Sequence, residues 1–544
     1  MVRIDKSRVA LSLTLLLMVI FVLPFAGMRG EAPFVTDDPI AAAAALDMTG
    51  SPDRSLDLTH EFLTDLPPLY PMAAALVTHV MGPSIGDRAS LRLTSALFSL
   101  GTLVLFYFFA RRYGNRHFAL LAVALLATMP GFALDSSSIG RDAALGFFLL
   151  ASVIAISLTF FDESPLWLLG GGVATAGAFL TGAWDGLALT GCLWGFGLIW
   201  FLATQKPSLA TGVRYLFFHL TALLAFLVLT GAGIATQIIA HPRPRLNDGF
   251  WIPLGTPTLS PDLPTLMLNA LALTWPWTPL FCLYMGSSFA GALKNRGVDK
   301  TPLFLAAWFF SALVPLLSGT TGITPMLPPL ALMAAFAFHG TLPRWMHHYA
   351  TLWSSVVLGG LFLMALSPAF RPLINPAENE LLRRLLTNGP HTILAAAGFL
   401  LAAMTCLVKS IPLTRTGRLI TLTAIFWVAL LHGPFATMPV EEQAEIQPLI
   451  TAFQTHPHKK TAAFGVDRQL RASLCFYGHL HLPPMDNLER CYDILKGGDP
   501  DFDTLLMQSN TRDHLPEALS MLPVTIVMQL PLHKGGCLLW VKGR

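Results

Sequence analysis

Charged side chains are scarce in this chain. Lys, Arg, Asp and Glu make up only 12% of its 544 residues, against about 25% in soluble domains, and the mean hydropathy is +0.58. That shortage excludes a soluble enzyme held by one anchor and leaves a polytopic membrane protein. Neither charge sign is in excess. The net charge is +3, and no basic tract interleaved with aromatics occurs, which argues against a nucleic-acid partner. Cysteine is sparse as well, with six residues and no Cys-x-x-Cys pair, so a zinc site of that kind has no support. Cys192, Cys282 and Cys406 lie in apolar runs and read as packing residues. Cys475, Cys491 and Cys537 lie in a polar tail, where one disulfide and no disulfide are equal alternatives. No internal repeat and no low-complexity segment stands out.

What the chain has in quantity is long apolar runs. At roughly 20 residues per span, the candidates are 9–27, 90–110, 118–135, 142–161, 166–181, 186–204, 215–236, 266–288, 302–318, 323–342, 349–367, 391–408 and 418–436, about thirteen in all. Arg3, Lys6 and Arg8 give the first run the look of a signal peptide. Ala26-Gly27-Met28 is a poor cleavage site, which favours an uncleaved helix. Arg111, Arg112, Arg116, Lys206, Arg214, Lys294, Arg296, Lys300, Arg344, Lys409, Arg415 and Arg418 fall in alternate loops. The positive-inside rule then puts the N-terminus in the cytoplasm and regions 28–89, 237–265 and 437–544 outside it.

Within the first outer loop, Ile40–Leu46 and Tyr70–Met81 are too short to span and suit short helices lying in the membrane interface. The tail changes character. Runs beginning at Thr461, Val524 and Gly536 are β-like, and 502–520 reads as helical. The predicted architecture is an α-helical polytopic membrane protein, residues 1–436, followed by a small C-terminal α/β extracytoplasmic domain, residues 437–544.

Acidic residues are placed at helix mouths. Asp37-Asp38 follows the first run, Asp65 opens Asp65-Leu66-Pro67-Pro68-Leu69-Tyr70, and Asp142 begins a later span. Carboxylates beside a membrane are costly unless they face water, a cation or a polar substrate. Their shared side suggests a site acting on a lipid-linked substrate from outside the cytoplasm. The outer loop His241-Pro242-Arg243-Pro244-Arg245 is basic, and guanidinium groups suit phosphate. Trp184 reads as an interface anchor and Asp185 as a weaker site candidate. His347-His348 and His456-Pro457-His458 lack acidic or Cys partners at ligand spacing and read as structural or solvated.

These elements resemble the C-type membrane glycosyltransferases that use polyprenyl-phosphate sugars, in particular the aminoarabinose lipid A transferases and the bacterial dolichyl-phosphate-mannose-protein mannosyltransferase group. Asp37-Asp38 matches the family's Asp-Glu pair, with Asp at the second place. Asp65 to Tyr70 matches its acidic-Lys-Pro-Pro-Leu-Tyr segment, with Leu66 for Lys. Arg141-Asp142 matches an Arg-Pro-Asp or Leu-Asp-Pro element. Ala463-Phe464-Gly465 and Cys475-Phe476-Tyr477-Gly478 are similar to the family's periplasmic part.

The resemblance implies a membrane transferase that moves a sugar from a polyprenyl-phosphate donor to a lipid, protein or glycan acceptor, in a bacterial inner membrane. Asp37 is then the catalytic carboxylate, Asp38, which precedes Pro39, is either a second one or the cap of a short helix, and Asp65 and Asp142 are the ligands of a divalent cation of open identity. Arg141, Arg243, Arg245 and His241 are the groups for the donor phosphate. Three family lysines are absent, at Leu66, in Thr181-Gly182-Ala183 and in Gly322-Ile323-Thr324-Pro325. An inactive relative that binds polyprenyl lipid is therefore a competing expectation, and a lipid transporter a more distant one.

Overall fold

A computed structural model of the chain describes residues 25, 38–49, 67–160, 164–205, 208–240, 263–295, 300–317, 323–339, 344–370, 397–400, 415–432, 441–455, 460–478, 480, 482–485, 487–499, 501–509, 524–532 and 537–543. Helices come first: α1 (Pro39–Met48), α2 (Leu69–Ile85), α3 (Asp87–Ala110), α4 (Arg116–Ala127), α5 (Pro130–Ser137), α6 (Asp142–Phe160), α7 (Trp167–Gly182), α8 (Trp184–Gln205) and α9 (Leu209–Ala240). They continue as α10 (Leu263–Thr274), α11 (Thr278–Asn295), α12 (Lys300–Leu317), a 3-10 turn (Thr324–Met326), α13 (Leu327–His339), α14 (Arg344–Phe370) and α15 (Arg415–His432). The C-terminal part is α16 (Glu441–Thr455), β1 (Thr461–Phe464), α17 (Arg468–Gly478), α18 (Leu488–Leu495), β2 (Thr504–Ser509), β3 (Val524–Pro531) and β4 (Cys537–Gly543).

Among the described residues, Asp87–Ala110, Asp142–Phe160, Trp184–Thr204 and Leu209–Ala235 are long and apolar enough to cross a membrane. The run 118–135, expected as one span, is a bent pair. α4 and α5 meet at 68°, because Pro130 at the start of α5 removes a backbone donor and reorients the chain. The run 266–288 is likewise two helices, parted at Trp275-Pro276-Trp277. The two breaks touch, since Trp277 Nε1 donates to Thr128 Oγ1 at 3.1 Å. The expected count of thirteen spans is therefore not reached among the described residues. The first candidate, 9–27, lies almost wholly outside them and 391–408 largely so.

The helices pack around α6, which contacts α3, α7 and α8. The main apolar core runs through α3, α4, α6, α12 and α13, with Phe106, Leu125, Leu150, Trp308 and Leu330 all buried in it. A turn at Gly86, whose φ of +87 suits only a residue without a Cβ, reverses the chain between α2 and α3.

The tail forms a four-stranded sheet of order β1-β2-β4-β3. β1 pairs parallel with β2, and β4 pairs antiparallel with both β2 and β3. The expected helix over 502–520 is corrected at 504–509. Thr504-Leu505-Leu506-Met507 lies between two neighbouring strands with every residue buried, and a fully buried apolar run satisfies its backbone best in the middle of a sheet. Cys475, Cys491 and Cys537 are buried thiols, so none of the tail disulfides considered from the sequence is formed.

α1 also differs from its expected place in the membrane interface. Ala41 to Leu46 are at most 2% exposed. Ala41, Ala42, Ala45 and Leu46 sit in one apolar cluster with Tyr70, Ala74 and Leu91 of the helical part and Phe453, Leu474, Phe476 and Trp540 of the tail. A polyalanine run has no bulky side chains to hold two layers apart, so the tail closes directly onto it. α2 keeps the interface pattern, with Met72, Leu76, Val80 and Met81 exposed along one side.

Candidate active site

Asp38 caps α1. Its φ of −89° and ψ of 104° are extended, its Oδ1 accepts from the N–H groups of Ile40 at 2.9 Å and Ala41 at 3.1 Å, and Pro39 starts the helix. The sequence thus specifies the cap through an acid followed by proline at the first helical position. The main-chain N–H of Asp38 in turn donates to the carbonyl of Ile139 at 2.7 Å. Burial pushes the Asp38 carboxyl above its ordinary value, opposed by the two backbone bonds and by the positive charges of Arg141 and Arg468.

Ile139 belongs to the turn that carries Arg141 and Asp142. Tyr70 braces this turn from α2. Gly140 N–H donates to the Tyr70 hydroxyl at 3.0 Å, the hydroxyl pairs with Ser95 Oγ at 3.1 Å, and Ser95 Oγ donates to the Gly140 carbonyl at 3.4 Å. Tyr70 and Ser95 are fully buried. The last residue of the Pro-Pro-Leu-Tyr segment is therefore a bolt holding the Arg141-Asp142 turn against α2 and α3. Asp142 opens α6, where a negative charge is favoured by the helix dipole. It lies within electrostatic reach of Arg141, Asp38 and Asp185.

Two carboxylates complete the described surroundings. Asp185 is the second residue of α8, two places after Ala183, whose φ of +51 is rare for a residue with a Cβ. Asp135, in α5, is hydrogen-bonded by Thr324 Oγ1 and lies within electrostatic reach of Asp142. Asp135 and Thr324 line a cavity of about 10 Å³ together with Ser99 and Thr102, room for about one water.

The structure thus brings together Asp38, Arg141, Asp142 and Asp185 from the sequence expectations. Asp37, Asp65, His241, Arg243 and Arg245 lie outside the described residues. Sequence reasoning missed Asp135, which sits inside an apolar run, and Arg468, which opens a helix in the tail far along the chain. The charge of Asp135 inside an apolar run was a signal for it, and Arg468, in a polar segment, gave none. Among the described residues no group of three or more His, Cys, Asp or Glu could hold a metal ion. The proposed cation ligand Asp142 therefore has no described partner set for one.

Residues 65–230 match the family model described as dolichyl-phosphate-mannose-protein mannosyltransferase. The segment contains the Tyr70 bolt, the Arg141-Asp142 turn and Asp185. ArnT from Cupriavidus metallidurans bound to undecaprenyl phosphate superposes with a TM-score of 0.66 at 18% identity, covering 98% of this chain and 98% of that chain. The apo form of the same ArnT gives 0.63 at 18% identity, over 98% and 97%. The fold is that of this ArnT. No curated protein matches the sequence. The resemblance read from the sequence motifs stands, and it extends over nearly the full length of both chains, tail included.

Proposed function

We propose that the protein is an integral membrane glycosyltransferase. It moves a sugar from a polyprenyl-phosphate donor to a lipid, protein or glycan acceptor on the periplasmic face of a bacterial inner membrane. The observation that carries this reading is the turn joining Asp38 to Arg141 and Asp142, held by Ile139, Gly140 and Tyr70, inside a fold shared with a protein that binds undecaprenyl phosphate. Domain 1–436 would hold the donor and domain 437–544 would cover the site from outside.

The reaction asks for a carboxylate and for cations. The acceptor oxygen attacks the anomeric carbon, the bond from that carbon to the phosphate oxygen breaks through an oxocarbenium-like state, and polyprenyl phosphate leaves. The acceptor proton goes to a carboxylate of the Asp37-Asp38 pair. Both described bonds to Asp38 fall on Oδ1, and Oδ2 is the oxygen proposed to take the proton. Asp142 orients the acceptor or the sugar hydroxyls, and Asp65 is assigned the same task. Arg141, with Arg243, Arg245 and His241, meets the charge that grows on the departing phosphate.

The full chain in proteoliposomes, given a polyprenyl-phosphate-sugar mixture extracted from bacterial membranes, is expected to release free polyprenyl phosphate, read by mass spectrometry. Asp38→Asn and Asp142→Asn are expected to lose at least a hundredfold in rate while staying folded. Wild-type rates in both variants would contradict the proposed roles.

A further inference from the structure

The tail reaches the site. α1 and α17 are packed together, with Ala43 and Ala44 of one against Ala472 and Cys475 of the other. Asp38 immediately precedes α1, and Arg468 is the first residue of α17, one turn before Ala472. The two helices therefore bring their N-terminal ends to the same place, and Arg468 stands within electrostatic reach of Asp38, as Arg141 does. The opposite end of α17 is fixed to the helical part. Arg88 of α3 donates from Nη2 to the Tyr477 carbonyl at 3.4 Å and lies over the Phe476 ring at 5.4 Å. Arg468 is thus placed by the fixed far end of its helix and by the apolar layer between α1 and α17.

We infer that Arg468 is a phosphate-binding residue of the candidate site, supplied by the C-terminal part and paired across Asp38 with Arg141, and that the anion it takes is the phosphate of the lipid-linked donor. This rests on the glycosyltransferase reading and adds to it a subsite built by two parts of the chain. Three positions where the family pattern has lysine carry Leu66, Gly182 and a Gly322–Pro325 segment without lysine, so positive charge must come from elsewhere. Asp38 already receives two backbone N–H groups on one oxygen and does not need both guanidinium groups to be satisfied. When a phosphate arrives, one guanidinium can turn to it while Asp38 keeps its cap. Arg suits this work, because its planar fork meets two phosphate oxygens at once.

The full chain is reconstituted in nanodiscs of phosphatidylcholine, and binding of undecaprenyl phosphate and of inorganic phosphate is measured for wild type, Arg468→Gln, Arg468→Lys and Arg490→Ala. Arg468→Gln removes the charge but keeps the stem to Cδ and a polar end, and Arg468→Lys keeps the charge and most of the length, so the pair separates loss of charge from loss of packing. Arg490, which is bonded to Asp499 and Asp501 on the tail surface, is the control. The expected result is about a tenfold loss of undecaprenyl phosphate affinity for Arg468→Gln, a smaller loss for Arg468→Lys and none for Arg490→Ala. Thermal unfolding should be unchanged throughout. Equal affinity in wild type and Arg468→Gln overturns the inference and leaves the glycosyltransferase reading standing. Arg468-dependent binding of inorganic phosphate, without binding of undecaprenyl phosphate, keeps the anion site and overturns the polyprenyl donor. Binding of neither probe by the wild type removes both.

Discussion

The main-chain N–H of Asp38 donates to the carbonyl of Ile139 at 2.7 Å. That single bond fixes the cap of α1 to the turn leading into α6, so the acid that follows the first apolar run and the acid that opens a later span are held in one place. Neither is displaced without moving the other.

Asp38 has two jobs that substitution separates. Asn caps a helix about as well as Asp, whereas Ala costs roughly 1 kcal/mol at such a position. Asp38→Asn should therefore unfold at the wild-type temperature yet transfer sugar at least about a hundredfold more slowly, and Asp38→Ala should lose both activity and some stability. Full activity in Asp38→Asn would restrict the residue to capping.

Tyr70 acts through the turn rather than on the substrate. Tyr70→Phe keeps the buried ring and removes the hydroxyl that meets Gly140 and Ser95, leaving a buried N–H unpaired at a cost of about 1–3 kcal/mol. A small displacement of a catalytic group can lower rate by about a hundredfold. The expected outcome is a fall in kcat of between about tenfold and a hundredfold, with donor KM unchanged. A pure KM effect would mean that Tyr70 touches the donor.

The pH dependence follows from the burial of Asp38. Its carboxyl is raised above the ordinary value, so the acid limb of the rate should lie above the usual carboxylate range, near pH 4, and should disappear from the residual activity of Asp38→Asn. The stability sign runs the other way from a salt-bridged acid. The folded state holds this proton more tightly than the unfolded chain, so Asp38's contribution to stability declines as pH rises from the unfolded value through the folded one. A rate profile whose acid limb sits at or below pH 4 in the wild type would contradict the assignment.

Much of this was legible from residues. The apolar runs marked the helices because a span must be long and uncharged, and alternating short runs marked the sheet. Asp38, Arg141 and Asp142 were legible because a charge at a helix mouth costs too much to stand there idle. Three things were not. The break at Pro130 lies inside a continuous apolar run, where hydropathy carries no directional information. The burial of α1 under the tail depends on contacts across some four hundred residues, as in Arg88 to Tyr477. Arg468 sits in a polar segment where a charged residue carries no signal, and only the packing of α1 on α17 gives it meaning.

Ala183 offers a test of strain beside the site. It holds φ at +51 while 6% exposed, in a backbone region that glycine occupies freely and other residues enter at about 1–3 kcal/mol. Ala183→Gly is expected to raise thermal stability by about 1 kcal/mol at the transition. If the conformation serves to aim Asp185, the same variant will transfer sugar more slowly. A loss of stability would show that the methyl group packs better than its backbone strain costs.

The most direct measurement is the identity of the lipid that stays with the protein. Wild type and Asp142→Asn are purified as full chains in mild detergent, and the bound lipids are identified by mass spectrometry. The account predicts a polyprenyl-phosphate sugar enriched on Asp142→Asn and sugar-free polyprenyl phosphate on the wild type. Ordinary phospholipids alone on both would contradict it.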